Sequence, residues 1–214
     1  MEFTGFPVAA LDFYDDLEVD NTKSFWDKHK HVYEESVKAP MVALIDALGK
    51  EFAPDEQSAK IFRPYRDVRF AKDKTPYKTH QGAFVRVADA TGWYVELSPR
   101  GIRTGGGFYH AEAPRLAALR EAIGHDTYGA ELEKIVRGLE RKRFTIGGDV
   151  LKTTPRGYDK DHPRIDLLRH KSIVATRTIG FEPVIHTPEL LDLVRKDWRA
   201  TRPLVEWAER HGVH

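Results

Sequence analysis

The chain contains no cysteine. That excludes disulfides, thiolate metal sites and a cysteine nucleophile, and it is compatible with a reducing compartment. Long apolar runs are missing too: nothing approaches the roughly 18 residues a membrane span requires. The opening MEFTGFPVAALDFYDDLEVD lacks the basic start of a secretory signal, and Asp12 breaks its apolar run. A cytoplasmic protein with no membrane partner is therefore expected. Charge of one sign is also scarce, since 34 Lys and Arg stand against 33 Asp and Glu. At +1, broad electrostatic attraction to nucleic acid or anionic lipid is not expected, and any basic surface must be local. There is no internal repeat or low-complexity linker. The zinc-binding H-E-x-x-H pattern, the nucleophile elbow G-x-S-x-G and the phosphate-binding P-loop are all absent. Neither a metal nor a cofactor is expected.

What is present is an ordinary globular mixture, 41% hydrophobic and 31% charged over 214 residues. At about 150 residues per domain, one domain spanning 1–214 is the simplest reading. Val8, Leu11, Phe13, Tyr14 and Leu17 recur at helical spacing after Pro7, and Phe25, Trp26, His29, Val32, Tyr33 and Val37 repeat the pattern after Asp20-Asn21-Thr22. Pro40 should end or kink that second helix, and a further apolar stripe runs to Phe52. The period then changes. Residues 82–87, 92–98 and 101–108 read as strands, with Trp93, Val95 and Leu97 alternating against Tyr94, Glu96 and Ser98. Their short connections predict an antiparallel meander.

Two helices are expected near 113–123 and 130–143, a short strand pair around Gly147-Gly148, a loop over 153–165 and a strand over 172–179. A last helix should open at Thr187-Pro188-Glu189 and kink at Pro203. Trp93, Trp198 and Trp207 occupy core-like positions. Without regular βαβ alternation, the fold class is α+β, an antiparallel sheet flanked by N-terminal and C-terminal helices.

Chemistry concentrates in residues 63–80, RPYRDVRFAKDKTPYKTH. Arg63, Arg66, Arg69, Lys72, Lys74 and Lys78 face only Asp67 and Asp73. This segment is +4 before His80, which leaves −3 for the rest of the chain. Tyr65, Phe70 and Tyr77 are interleaved and can pin it to a core while the cations point elsewhere. Arginine presents a planar fork to phosphate or carboxylate, and lysine a point charge. One reading is an anion site centred on Arg66, Arg69 and Lys74. The other is a solvated loop closed by Arg–Asp bridges.

Gly105-Gly106-Gly107, at a strand end, could either line an anion pocket with backbone N–H groups or bend the sheet. In the loop PRGYDKDHP, Asp161 and His162 are the candidate acid or base, against the alternative of an Asx-capped turn. If they act, this loop should fold back on the cationic segment.

The chain resembles the microbial family known as domain of unknown function 2461. The likeness rests on FTGFPVAALDFYDDLEVDNTKSFWDKHKHVYEESVKAP, on IFRPYRDVRFAKDKTPYKTHQGA, and on GWYVELSPRGIRTGGGFY and LKTTPRGYDKDHP. The most specific string is RDVRF-x-KDKTPYK. Asp20-Asn21 and Phe25-Trp26 depart from the Asn-Asn and Trp-Phe of the family as packing variants. The resemblance implies a single intracellular α+β domain and carries over no reaction. Three functions fit the residues: a pocket for a phosphate- or carboxylate-bearing ligand, a nucleic-acid-binding strip of cations and aromatics, and a partner-binding or structural protein whose cations pair internally.

Overall fold

Pro7 and Thr22 set the first two helices. The computed structural model describes residues 2–212. Helix α1 (Val8–Val19) follows the extended Pro7, and α2 (Lys23–Val32) is capped by the Thr22 hydroxyl, which accepts from the Phe25 amide at 3.2 Å. Pro40 does not stop the chain. The helix passes through a π-helical segment, Tyr33–Lys38, into α3 (Ala39–Phe52). The Ala39 amide reaches back five residues to the Glu34 carbonyl. A proline has no N–H and its ring crowds the carbonyl four residues earlier; the wider turn absorbs both faults and keeps the helix going.

Six strands form one antiparallel sheet: β1 (Ala59–Ile61), β2 (Gln81–Ala88), β3 (Thr91–Ser98), β4 (Gly101–Phe108), β5 (Thr145–Gly147) and β6 (Ile173–Thr178), in the order β1-β2-β3-β4-β6-β5. The meander β2-β3-β4 lies where the alternation predicted it. Trp93, Val95 and Leu97 are buried, while Tyr94, Glu96 and Ser98 are half-buried. β1 pairs with β2 in the register Ala59↔Val85; three residues of mixed polarity carry too little periodicity to be seen in sequence. The strand pair expected around Gly147-Gly148 does not form. Instead β5 pairs with β6, Thr145 opposite Thr176, and Val150 bridges to His170.

The remaining helices are α4 (Ala113–Gly124), α5 (Asp126–Arg141), α6 (Ile165–Arg169) and α7 (Glu189–His211). α5 begins four residues earlier than expected because the His125 ring nitrogen accepts from the Thr127 amide, and Gly129 is buried against Ile123 and Arg164. The short α6 begins at the last residue of the 153–165 loop and was not expected. α7 runs on through Pro203. In the turn before it, the Trp198 carbonyl accepts from the Trp93 indole at 3.0 Å and from the Thr201 hydroxyl at 3.1 Å. Trp93, Trp198 and Trp207 are all buried, as their positions implied. Among the described residues, no helix is long and apolar enough to cross a membrane.

The chain clusters into two compact units. The first comprises Met1–Val85, Tyr94–Thr104 and Thr178–Lys196. In it α1 packs on α2 and the π-helical segment, and α3 packs on β1. Phe13 meets Phe25, Trp26 and Tyr33 with ring centroids 5.9–6.1 Å apart. The second comprises Arg86–Trp93, Gly105–Arg177 and Asp197–His214. Its core includes Leu119, Ile123, Leu132, Leu168, Ile173 and Trp207. The buried Arg164 guanidinium closes the end of α4 by donating to the carbonyls of Ile123 at 2.8 Å and Gly124 at 3.1 Å.

A candidate anion site at the neck of the cationic loop

The cationic segment is an irregular loop drawn shut at its base. Tyr65 and Tyr77 form an isolated antiparallel bridge, with Arg66 N–H to Pro76 O and Lys78 N–H to Pro64 O both at 2.8 Å. Trp26 stacks on Tyr77, centroids 4.3 Å apart and planes within 7°, and also meets Tyr65 at 5.9 Å. From the turn before α2, the Asn21 side chain takes the Tyr77 backbone in both directions: its amide donates to Tyr77 O at 3.0 Å and its carbonyl accepts from Tyr77 N–H at 3.1 Å. An amide side chain thus completes the bonding a strand would supply. Asn21→Ala removes both bonds from a half-buried backbone and should cost about 1–3 kcal/mol in a denaturant titration.

The aromatics divide. Tyr77 is 5% exposed and holds the neck, Tyr65 is 46% exposed, and Phe70 at the tip is 96% exposed. The expectation that all three pin the loop therefore holds for Tyr77, partly for Tyr65, and not for Phe70. With no apolar surface over it, Phe70 stands in solvent.

The six cations go to different places. Arg66 donates to Asp73 at 2.5 Å and to the Thr75 hydroxyl. Asp73 is held down to about 2, first by Arg66 and then by the Thr75 amide and hydroxyl. Arg69 makes a two-pronged contact with Asp67, at 2.9 and 2.6 Å, which lowers the Asp67 carboxyl from its ordinary value. Lys74 donates to the Val68 carbonyl at 2.9 Å and bridges the tip. Lys78 donates to the Arg63 carbonyl at 3.0 Å, with its ammonium 5.6 Å from the Phe62 ring. Arg63 and Lys72 are exposed.

Arg66 and Lys78 line one cleft of about 550 Å³ together with Glu18, Asn21, Asp73, Thr75, Tyr77, Thr79 and His80. Arg63, Arg69, Lys72 and Lys74 are not part of its lining. Arg69 and Asp67 form an exposed pair two residues apart, and such pairs contribute little. Arg69→Ala should therefore leave both the denaturation midpoint and any ligand affinity of the cleft nearly unchanged, measured by the same titration and by calorimetry.

A second group of residues meets His80. Its Nε2 lies 3.9 Å from Glu96 Oε2, and that oxygen also accepts from the Tyr94 hydroxyl at 2.5 Å and from Arg103 at 3.0 Å. Burial raises the Tyr94 hydroxyl well above its ordinary range and keeps it a donor. Glu96 read in sequence as the outward member of an alternating strand. Its convergence with His80 joins β3 to the end of the loop and left no local signal.

The three glycines belong to the second unit and are buried inside β4. A Cβ on Gly105 would overlap the Ala175 carbonyl oxygen, one on Gly107 the Ile173 carbonyl oxygen, and one on Gly106 would press on Thr201 and Trp93. Their smallness answers close approach of backbone and side chains.

The loop 155–163 also belongs to the second unit. The Asp159 carboxylate accepts from the Asp161 amide at 2.9 Å, an Asx turn, and His162 Nδ1 accepts from the Arg164 amide at 3.0 Å. The Asp161 side chain is exposed. One imidazole nitrogen is thus occupied by the backbone. Among the described residues no three His, Asp or Glu side chains are grouped as metal ligands.

The model of the family of conserved hypothetical proteins DUF2461 matches residues 9–207. The chain belongs to this family. No curated protein and no solved structure matches it. The matched span includes the neck, the cleft and the His80–Glu96 group, so this family member carries its candidate site inside the family domain.

Proposed function

We propose that this DUF2461 protein is an anion-recognising protein whose ligand presents a phosphate or carboxylate group to the cleft at the loop neck. The observation that carries this reading is the shared exposure of Arg66 and Lys78 on one concave surface, with the Thr75 and Thr79 hydroxyls beside them. Charge-assisted hydrogen bonds from guanidinium and ammonium are the strong ones, and hydroxyls add donors without added charge. Arg66 is held in place by Asp73 and Thr75, so less side-chain freedom is lost when it meets a ligand. Gly105, Gly106 and Gly107 form no part of this reading, because packing accounts for them. Asp161 and His162 carry no role in it.

The test is calorimetric titration of the folded protein with sulfate and with inorganic phosphate. Lys78→Met should weaken binding by about tenfold or more, the value of one charge-assisted hydrogen bond. Lys78 is the more informative choice because Arg66 ties two side chains of the loop, Asp73 and Thr75, whereas the Lys78 ammonium makes one hydrogen bond, to the Arg63 carbonyl. A folded parent protein that binds neither ion, or a Lys78→Met variant of unchanged affinity, defeats the reading.

The exposed tip favours a second reading, single-stranded nucleic acid. Phe70 offers a ring to stack on, with exposed Arg63 and Lys72 in the same segment. About six phosphate contacts would give a log–log salt slope near −4 to −5, and a single bound phosphate group a shallow one. A shallow slope with a short oligonucleotide removes this second reading and leaves the first.

A further inference from the structure

The cleft has no excess positive charge while His80 is neutral. Arg66 and Lys78 are matched by Glu18 and by Asp73, which Arg66 and Thr75 keep ionised. An oxyanion entering such a site finds hydrogen-bond donors but little net attraction. One lining group can change that balance. The His80 side chain is 37% exposed on the cleft, and behind it lies the Glu96 carboxylate, 13% exposed and 3.9 Å from Nε2. Glu96 does not swing freely: the Tyr94 hydroxyl and Arg103 both hold the oxygen that faces the imidazole. A fixed, half-desolvated carboxylate next to a ring that opens on a cleft is an arrangement that receives an imidazolium without rearranging.

We propose that His80 is a ligand-binding residue of this cleft, which takes up a proton as a doubly charged oxyanion binds, so that the preferred ligand class is the dianion: sulfate, or the phosphate of a monoester. This rests on the anion-site reading above and names its ligand. The charged groups around the ring are Glu96 from β3, Arg103 from β4 and Lys78 from the loop, with Glu18 and Asp73 on the same cleft. In the empty cleft burial holds the imidazole below its ordinary value, Lys78 and Arg103 push the same way, and Glu96 opposes them.

The empty site is therefore neutral at neutral pH. A bound dianion adds a second pull toward the protonated ring, raising its pKa. Affinity then rises as pH falls through the interval between the bound and free pKa values, by at most about tenfold per pH unit, and is flat outside it.

Sulfate is the probe because its own charge does not change between about pH 5.5 and 8, where histidine titrates. Calorimetry in two buffers of different ionisation enthalpy reads the proton taken up on binding. The expected result is uptake approaching one proton in the interval, an affinity that strengthens as pH falls, and His80→Gln binding that is weaker at low pH and nearly flat with pH. Nitrate, a monoanion, should bind at least about tenfold more weakly than sulfate at pH 6, the value of one lost charge-assisted contact.

An independent measurement is the NMR titration of the His80 ring in the parent protein, whose midpoint should move up when sulfate is added. Sulfate binding that is independent of pH, an unchanged pH dependence in His80→Gln, an unmoved ring midpoint, or equal affinity for nitrate overturns the proposal and leaves the anion site standing. No sulfate binding at any pH by the folded parent overturns the anion site itself, and this proposal with it.

Discussion

Trp26→Ala should lower the free energy of unfolding by about 3–5 kcal/mol, the usual loss for a buried large aromatic cut to alanine. Trp26 is 2% exposed and touches rings on two sides: Phe13 at 5.9 Å and Tyr33 at 4.9 Å in the helical layer, Tyr77 at 4.3 Å and Tyr65 at 5.9 Å in the loop neck. The substitution opens a cavity between helix α2 and the neck of the cationic loop, where Tyr65 and Tyr77 pack. Two readouts separate stability from site architecture. Chemical denaturation gives the first. Hydrogen exchange of the Arg66 and Lys78 amides gives the second, because these two amides make the hydrogen bonds of the neck to Pro76 O and Pro64 O. Both should exchange faster in the variant by more than the global change accounts for.

Trp26→Phe is the control. Among the described residues the buried indole N–H has no hydrogen-bond partner, so phenylalanine keeps much of the stack and removes an unsatisfied donor. Its cost should be well below that of alanine. Equal losses for Phe and Ala would mean that the stack on Tyr77 does not hold the loop.

This dependence of the loop on Trp26 shows where the sequence could and could not be read. The cation density of residues 63–80 was visible because charge is a local property. The contacts that decide what those cations do have two ranges. Asp67 and Arg69 are two residues apart, and the sequence itself offers an Arg–Asp bridge within the loop. Asn21 and Tyr77 are 56 residues apart, and nothing at either position announces the other. The same holds for His80 and Glu96, since a period-2 strand pattern assigns Glu96 to the outer face without saying what lies on that face.

Helix and strand existence followed the periodicity well, for burial rewards a repeated spacing wherever the element ends up. Differences from the expected elements gathered where elements are very short. Backbone sterics lead to the expectation that Pro40 ends or kinks its helix and that Pro203 kinks its own; each lies in a long helix whose buried face outweighs one missing bond. β1 and β5 have three residues each, too few for a period, and exist because a neighbouring strand offers an edge.

Gly107→Ala should be the most damaging single-methyl change at the glycine triplet, at about 4 kcal/mol, from two costs that add. The first is backbone strain: Gly107 has φ +145°, a conformation that costs other residues on the order of 1–3 kcal/mol. The second is overpacking: a Cβ there would overlap the Ile173 carbonyl oxygen and come within 2.9 Å of the Val174 Cα, and a packed interior charges about 1–3 kcal/mol for such an intrusion. Both obstacles are backbone atoms of β6, so no rotamer change relieves them.

Gly105→Ala meets only the second cost, against Ala175 O, and should be milder. Gly138, in the last turn of α5, is the counter-example: among the described residues no atom lies within 4 Å of where its Cβ would stand, and helix propensity then favours alanine by about 0.5–1 kcal/mol. Thermal or denaturant unfolding of the three variants should rank Gly138→Ala above the parent, Gly105→Ala below it and Gly107→Ala lowest. If Gly107→Ala folds with parental stability, closeness to β6 is not what requires glycine there.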